Sequence, residues 1–125
     1  MDDTINQALA HGGTIDITTT GRRTGLPRRI EIVFFNFGGR LYISGMPSRR
    51  RRSWLANLEA QPAFTFHLKG RVGSDLPATA REITDPAERR DILARVARAW
   101  RRTDVDAMVA YSPLVEVTIS DPAGA

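Results

Sequence analysis

Arg28-Arg29-Ile30-Glu31-Ile32-Val33-Phe34-Phe35-Asn36-Phe37-Gly38-Gly39-Arg40-Leu41-Tyr42-Ile43-Ser44 is the stretch from which the architecture reads. β-Branched and aromatic residues fill both arms, and a Gly-Gly pair between two apolar runs signals a two-residue hairpin. A strand over about 28–37 therefore turns back, antiparallel, on a second over 40–44. On the N-terminal side, Ile15 and Ile17 alternate with Thr14, Asp16 and Thr18, which predicts a strand. A short helix over about 2–10 precedes it, with Ile5, Ala8 and Leu9 on one face and Gly12-Gly13 as its stop. On the C-terminal side, Phe64, Phe66 and Leu68 line one face of a further strand, with Thr65 and His67 opposite the core. That places His67 on the strand surface with no chemistry assigned to it. An extended stretch over about 72–83 and a last strand with Val115, Val117 and Ile119 inward complete the β-structure.

Helices enter singly between these strands. One covers 53–60, with Trp54, Leu55 and Leu58 spaced for burial and Pro62 beyond its end. A longer one starts at Asp85-Pro86, where Asp85 caps, Pro86 suits the first helical position and Glu88 completes a capping box, and it runs to about 101. Its buried stripe is Ile92, Leu93, Val96 and Trp100, which leaves Arg89, Arg90, Arg95, Arg98 and Arg102 on the solvent face. This order disfavours a doubly wound βαβ sheet. It predicts an α+β, mainly β fold: a six-stranded, mostly antiparallel split barrel with short helices packed around it. A chain of 125 residues suits one such domain over 1–125, with an N-terminal helix within 1–12 and a tail over 120–125.

Charge is distributed unevenly. Between Arg22 and Arg52 there are nine arginines and one acid, Glu31, a net +8; the rest carries nine bases and thirteen acids, a net −4. The absence of cysteine excludes disulfides, thiolate metal sites and Cys nucleophiles. His11 and His67 stand in no metal-ligand spacing, so no metal is expected. No apolar run approaches the roughly 20 residues of a membrane span, and the acidic start Met1-Asp2-Asp3-Thr4 reads as no secretion signal, so a cytoplasmic location is expected.

Hairpin pairing brings Arg28 and Arg29 to the same end of the sheet as the run Arg49-Arg50-Arg51-Arg52, which also precedes the helix over 53–60. Guanidinium forks, a helix N-terminus and the Ser53 hydroxyl there suit a phosphate or carboxylate. The alternative is a solvated charge run. Trp54 reads as core or as the edge of the anion site, and Asn57 as a ligand donor or a cap.

Two blocks then resemble a known family. Thr18-Thr19-Thr20-Gly21-Arg22-Arg23-Thr24-Gly25-Leu26-Pro27-Arg28 is similar to the T-x-G-[RK]-[RK]-[ST]-G-x-P-R signature of the deazaflavin (F420)-dependent nitroreductase family. Trp54-Leu55-Ala56-Asn57-Leu58-Glu59-Ala60-Gln61-Pro62 resembles its W-x-x-N-L-x-A-x-P block. The resemblance implies a split barrel of the FMN-binding type that binds coenzyme F420, or FMN in relatives of the same fold. It implies hydride transfer to a small quinone, enone or nitroaromatic acceptor, and a possible homodimer. It places the coenzyme's phosphate at Arg28 and Arg50 and its ring on the loop from Ser44, Gly45 and Met46. Arg29, Ile30, Arg51, Trp54 and Asn57 are neighbours of that site, and Ser44 or Tyr111 the candidate proton donor. Met46-Pro47 replaces the glycines usual in the family's loop, and the family's tyrosine-rich substrate wall is reduced here to Tyr111. Hydride chemistry needs neither nucleophile nor metal from the protein, which suits this residue inventory. The other classes are a coenzyme carrier without turnover and a basic module for nucleic acid or another polyanion. The second is disfavoured because Phe34, Phe35 and Phe37 read as strand core rather than as exposed stacking platforms.

Overall fold

Gly38 and Gly39 take φ of +63° and +89°, the left-handed backbone that a two-residue hairpin turn demands and a side chain resists. The Gly39 N–H donates to Asn36 Oδ1 at 2.9 Å and closes the turn. β2 (Pro27–Phe37) thus folds onto β3 (Arg40–Ser44), from Phe37 opposite Arg40 to Val33 opposite Ser44. The computed structural model describes residues 2–120. With β1 (Gly13–Thr20), β4 (Ala63–Leu68), β5 (Ser74–Glu82) and β6 (Leu114–Ile119), the strands close a barrel in the order β1-β2-β3-β6-β5-β4. Every pairing, including the closing β1–β4 contact, is antiparallel. The six strands and the barrel expected from the sequence are present; the tail expected from 120 lies, beyond Ser120, outside the described residues.

Period-two alternation sorts the side chains. Ile15, Ile17, Phe34, Ile43, Phe66 and Val115 point into the barrel, with Phe34 and Phe66 edge to face at 5.1 Å between centroids. Leu9 of α1 (Asp3–His11) and Trp54, Leu55 and Leu58 of α2 (Ser53–Ala60) join this interior. A second cluster forms outside, where Phe35, Tyr42 and Leu114 meet Ile92, Leu93 and Val96 of α3 (Pro86–Ala99) and Met108 of α4 (Val105–Tyr111). The second half of β2 is therefore covered on both sides, which is why Val33-Phe34-Phe35 reads as a continuous apolar run.

Four departures from the sequence reading have physical causes. Helix α4 was not expected: its seven residues carry too little periodicity, and no side chain caps it at Asp104. α3 stops at Ala99 rather than near 101, because Arg101 adopts φ +55° and the Arg102 N–H reaches back to Ala97 O at 2.8 Å. That is a glycine-type ending without the glycine that would announce it. β5 begins at Ser74, after a 3-10 turn at Gly70–Val72. His67 does face outward, yet it is buried: its ring bonds Thr18 Oγ1 and Asp75 Oδ1, each at 2.6 Å, and ties β1, β4 and β5 together. A hydroxyl–imidazole–carboxylate series of this kind can be catalytic, but it borders neither arginine-lined cavity described below.

Among the described residues no helix is long and apolar enough to cross a membrane.

Candidate functional site

The loop between β1 and β2 is built on two glycines with different jobs. At Gly21 a Cβ would sit 2.9 Å from Thr24 Oγ1 and 3.0 Å from Leu26 O, so the turn closes only over a bare backbone. Its N–H donates to Leu26 O at 2.8 Å, and the Gly25 N–H returns a bond to Gly21 O at 2.8 Å. Gly25 itself takes φ +72°. The compact loop so formed lifts Arg22 and Arg23 onto α2.

Asn57 holds it there. This side chain, 3% exposed, accepts from the Arg22 backbone N–H at 3.1 Å and from Arg22 Nη1 at 2.9 Å through Oδ1, and donates through Nδ2 to Thr19 Oγ1 at 3.1 Å. Asn57 is thus first a positioning residue. Asn57→Ala strips the Arg22 N–H and Thr19 Oγ1 of their partners, and a loss of about 1–2 kcal/mol in urea unfolding is expected, with the 21–26 amides shifted in NMR spectra.

Between this loop, the start of β2 and the first turn of α2 lies a cleft of about 570 Å³. Arg22, Arg23, Arg28, Arg29, Ile30, Trp54 and Asn57 line it, with Thr19, Gly21 and Ser53 among the remainder. Trp54 serves both readings made of it, since it is buried in the core and walls the cleft. Arg28 and Arg29 are not equivalent. Arg28 pairs opposite Thr19, whose side chain faces inward, so Arg28 stands on the inward-facing row at the barrel's mouth. Arg29 stands on the outer row, bound to Asp16 Oδ2 at 2.9 Å. Asp16 is also bound by Lys69, and these two cations hold its carboxyl below the usual range, Lys69 contributing most. Among the described residues Arg22, Arg23 and Arg28 have no acidic partner, so their charge is free for a ligand.

The second arginine group does not join them. Arg49, Arg50, Arg51 and Arg52 line a separate cavity of about 300 Å³, bounded by Leu55, Glu82, Ile83, Arg89, Tyr111, Ser112 and Pro113. The convergence of all the arginines on one place, expected from strand pairing, is therefore corrected: α2 stands between two cationic hollows. Its first five residues put Ser53, Trp54 and Asn57 on one side and Leu55 on the other. Arg51 is committed to acids, with Nη2 at 3.0 Å from Glu82 Oε1 and 2.5 Å from Glu59 Oε2. Arg52 instead donates to the Met46 carbonyl at 2.5 Å.

Ser44, 1% exposed, donates its hydroxyl to Pro113 O at 2.8 Å and borders neither cavity. Its proton is directed at a backbone carbonyl, which corrects its reading as a proton donor; it fastens the 45–52 loop to the start of β6. Gly45 keeps that loop flush, since a Cβ there would lie 3.2 Å from Pro113 Cγ and 3.3 Å from Arg52 Nη2. Met46 is exposed. Tyr111, 43% exposed, lies on the cavity wall with Arg49 Cζ 5.2 Å from its ring centroid.

Arg89 is the residue the sequence reading missed. Assigned there to the solvent face, it is half-buried and donates to Ile83 O at 2.9 Å, Val109 O at 2.9 Å, Ser112 O at 2.6 Å and, longer, Met108 O at 3.4 Å. A cation at the end of α4 satisfies carbonyls such as Val109 O that the helix itself cannot, adds a longer bond to Met108 O, which already accepts the Ser112 N–H, and fixes Tyr111 and Ser112 against the end of β5. No sequence signal separated it from its neighbours, because its partners are backbone atoms of an unforeseen helix.

Comparison with known proteins gives the following. The sequence model described as F420H(2)-dependent quinone reductase matches residues 2–120. Among solved structures, a conserved hypothetical protein from Mycobacterium tuberculosis superposes with a TM-score of 0.71 at 16% identity, covering 97% of this chain and 81% of that one. An F420-H2 dependent reductase gives 0.61 at 22% identity, over 85% and 94%. A heme storage protein from Vibrio cholerae gives 0.69 at 14%, over 96% and 90%. At such identities the likeness establishes the barrel fold.

Proposed function

The chain belongs to the F420H(2)-dependent quinone reductase family, and from that premise we propose that the phosphate of reduced F420 lies in the Arg22, Arg23 and Arg28 cleft while a hydride passes to a small quinone, enone or nitroaromatic acceptor. The observation that carries this reading is the charge state of the cleft. Three guanidinium groups without a carboxylate partner among the described residues surround a hollow of about 570 Å³ walled by an indole. The donor set fits a phosphate: guanidinium forks, the Ser53 hydroxyl and the open N-terminus of α2, where no side chain caps the helix. Gly21, where a Cβ would be blocked, is what keeps the loop this close.

Bound F420 supplies the two-electron chemistry as a hydride donor. The protein's own residues bind and orient. Arg28 and Arg22 would hold the phosphate and Trp54 and Ile30 would give an apolar wall, while the family resemblance would set Gly45, Met46 and Arg50 of the 45–52 loop against the ring. Tyr111 rather than Ser44 would deliver the proton that follows the hydride, a reading supported by the position of the Tyr111 ring on a cavity wall and by the Ser44 hydroxyl being bonded to Pro113 O.

The test is a spectral titration of the purified chain with F420 and, separately, FMN. One equivalent of F420 is expected to saturate it, with FMN bound far more weakly. Saturation by FMN alone transfers the reading to the other coenzyme, and binding of neither removes it.

A further inference from the structure

The smaller cavity carries more positive charge than a neutral acceptor can use. Of its five arginines only Arg51 is ion-paired among the described residues, and it takes the cavity's carboxylate, Glu82, through both guanidinium nitrogens, while Arg89 feels the same carboxylate only at longer range. Arg52 and Arg89 are bonded to neutral carbonyls, Arg49 lies over the Tyr111 ring, and Arg50 has no acidic partner among the described residues. Four guanidinium groups thus border about 300 Å³ without an ion-paired carboxylate among the described residues. Burial holds both Arg52 and Arg89 below the ordinary guanidinium range, a cost that an incoming anion would relieve.

An independent observation points to a ligand here. Ser112 lines the cavity and is 4% exposed, and its Oγ is buried with no hydrogen-bond partner, the one such side-chain atom among the described residues. A buried hydroxyl left unsatisfied is destabilising unless something completes it. The hollow is held open from both sides: the Ser48 N–H is bonded to Tyr111 O at 3.1 Å, and Arg89 fixes the Ser112 carbonyl.

We propose that this cavity is a carboxylate site, in which Arg49, Arg52 and the Ser112 hydroxyl receive the anion, and that the hydride acceptor of this protein bears that carboxylate. The second half rests on the reductase reading above; the first half does not. A carboxylate on Ser112 and Arg49 places the rest of the acceptor beside Tyr111, where the proton is delivered. Neutral quinones would leave the arginines and Ser112 unsatisfied, so discrimination between an acid and its ester follows from the same groups.

The experiment is calorimetric titration of the full chain with benzoate, alone and with F420 bound, followed by turnover of a benzoquinone carboxylate against its methyl ester. Benzoate is expected to bind the wild type. Ser112→Ala and Arg49→Gln should each weaken it about 5- to 20-fold, the loss of one charge-assisted bond. Ser112→Ala removes an unsatisfied atom and Arg49 is exposed, so both variants fold. The acid should exceed the ester in kcat/KM by about 10-fold or more. Failure of benzoate to bind, or undiminished binding by both variants, overturns the site. Equal turnover of acid and ester overturns the acceptor assignment. So does displacement of benzoate by F420 but not by F420 stripped of its glutamates, which gives the cavity to the coenzyme's own tail. Benzoate binding with no turnover of either quinone sinks the reductase reading and leaves the carboxylate site standing.

Discussion

Arg28→Ala raises the dissociation constant for F420 about 30- to 100-fold, the loss of a charge-assisted contact worth about 2–3 kcal/mol, while Arg29→Ala changes it less than about threefold. The two arginines are adjacent, but β-strand alternation separates them. Arg28 is on the inward-facing row at the barrel mouth and has no acidic partner among the described residues. Arg29 is on the outer row, and its charge is already answered by Asp16. Because Arg28 makes no bond that the fold depends on, its alanine variant should melt within a few degrees of the wild type. Binding and stability are then separable, and fluorescence titration of both variants at low and moderate salt checks the contrast. Equal losses from the two would mean that the cleft acts as a diffuse cationic surface rather than a built phosphate site.

Arg89→Met should lower stability by about 3 kcal/mol, or about 10 °C in melting temperature for a domain of this size, one of the largest losses expected from any single arginine here. The guanidinium satisfies four carbonyls at the end of α4 and the end of β5, three of them at 2.9 Å or less. Methionine keeps most of the volume and none of the donors, so the Ile83, Val109 and Ser112 carbonyls must find water or stay unpaired, while Met108 O keeps the Ser112 N–H. Arg89→Lys should recover only part of the loss, since an ammonium cannot reach four acceptors arranged around a planar fork. Arg90→Met is the control: its exposed pair with exposed Asp106 is worth little, and a change within about 0.5 kcal/mol is expected. Thermal melts of the three variants decide the point. The Arg89 variant should also disturb Tyr111, visible as loss of the ring-current shift that its ring imposes on the Arg49 side-chain protons above it.

Much of this protein was legible in its sequence, and the legible part shares one property: it is local. The Gly38-Gly39 hairpin, the alternation of Phe64, Phe66 and Leu68, the Asp85-Pro86-Glu88 start of α3 and the two-glycine loop before Pro27 are each determined by residues within a few positions of one another. Their physics is backbone sterics, capping and period-two burial, which need no distant partner. The concentration of arginine between 22 and 52 was legible for the same reason, and so was the resemblance in the blocks at 18–28 and 54–62 that pointed to the family.

Only the tertiary structure decided how those charges divide. Whether Arg51 is free depends on Glu82, 31 positions away on β5, and whether Arg22 is held depends on Asn57, 35 positions away on α2. His67 looked like a surface residue until Thr18 and Asp75 closed over it, and Arg89 like a solvated one until α4 offered it carbonyls. Sequence supplies the charge and the alternation; closing the barrel determines which charge meets which partner. A guanidinium answered by a carboxylate is structural, and one left unanswered beside a cavity is available to a ligand, a distinction that exists only between residues far apart in the chain.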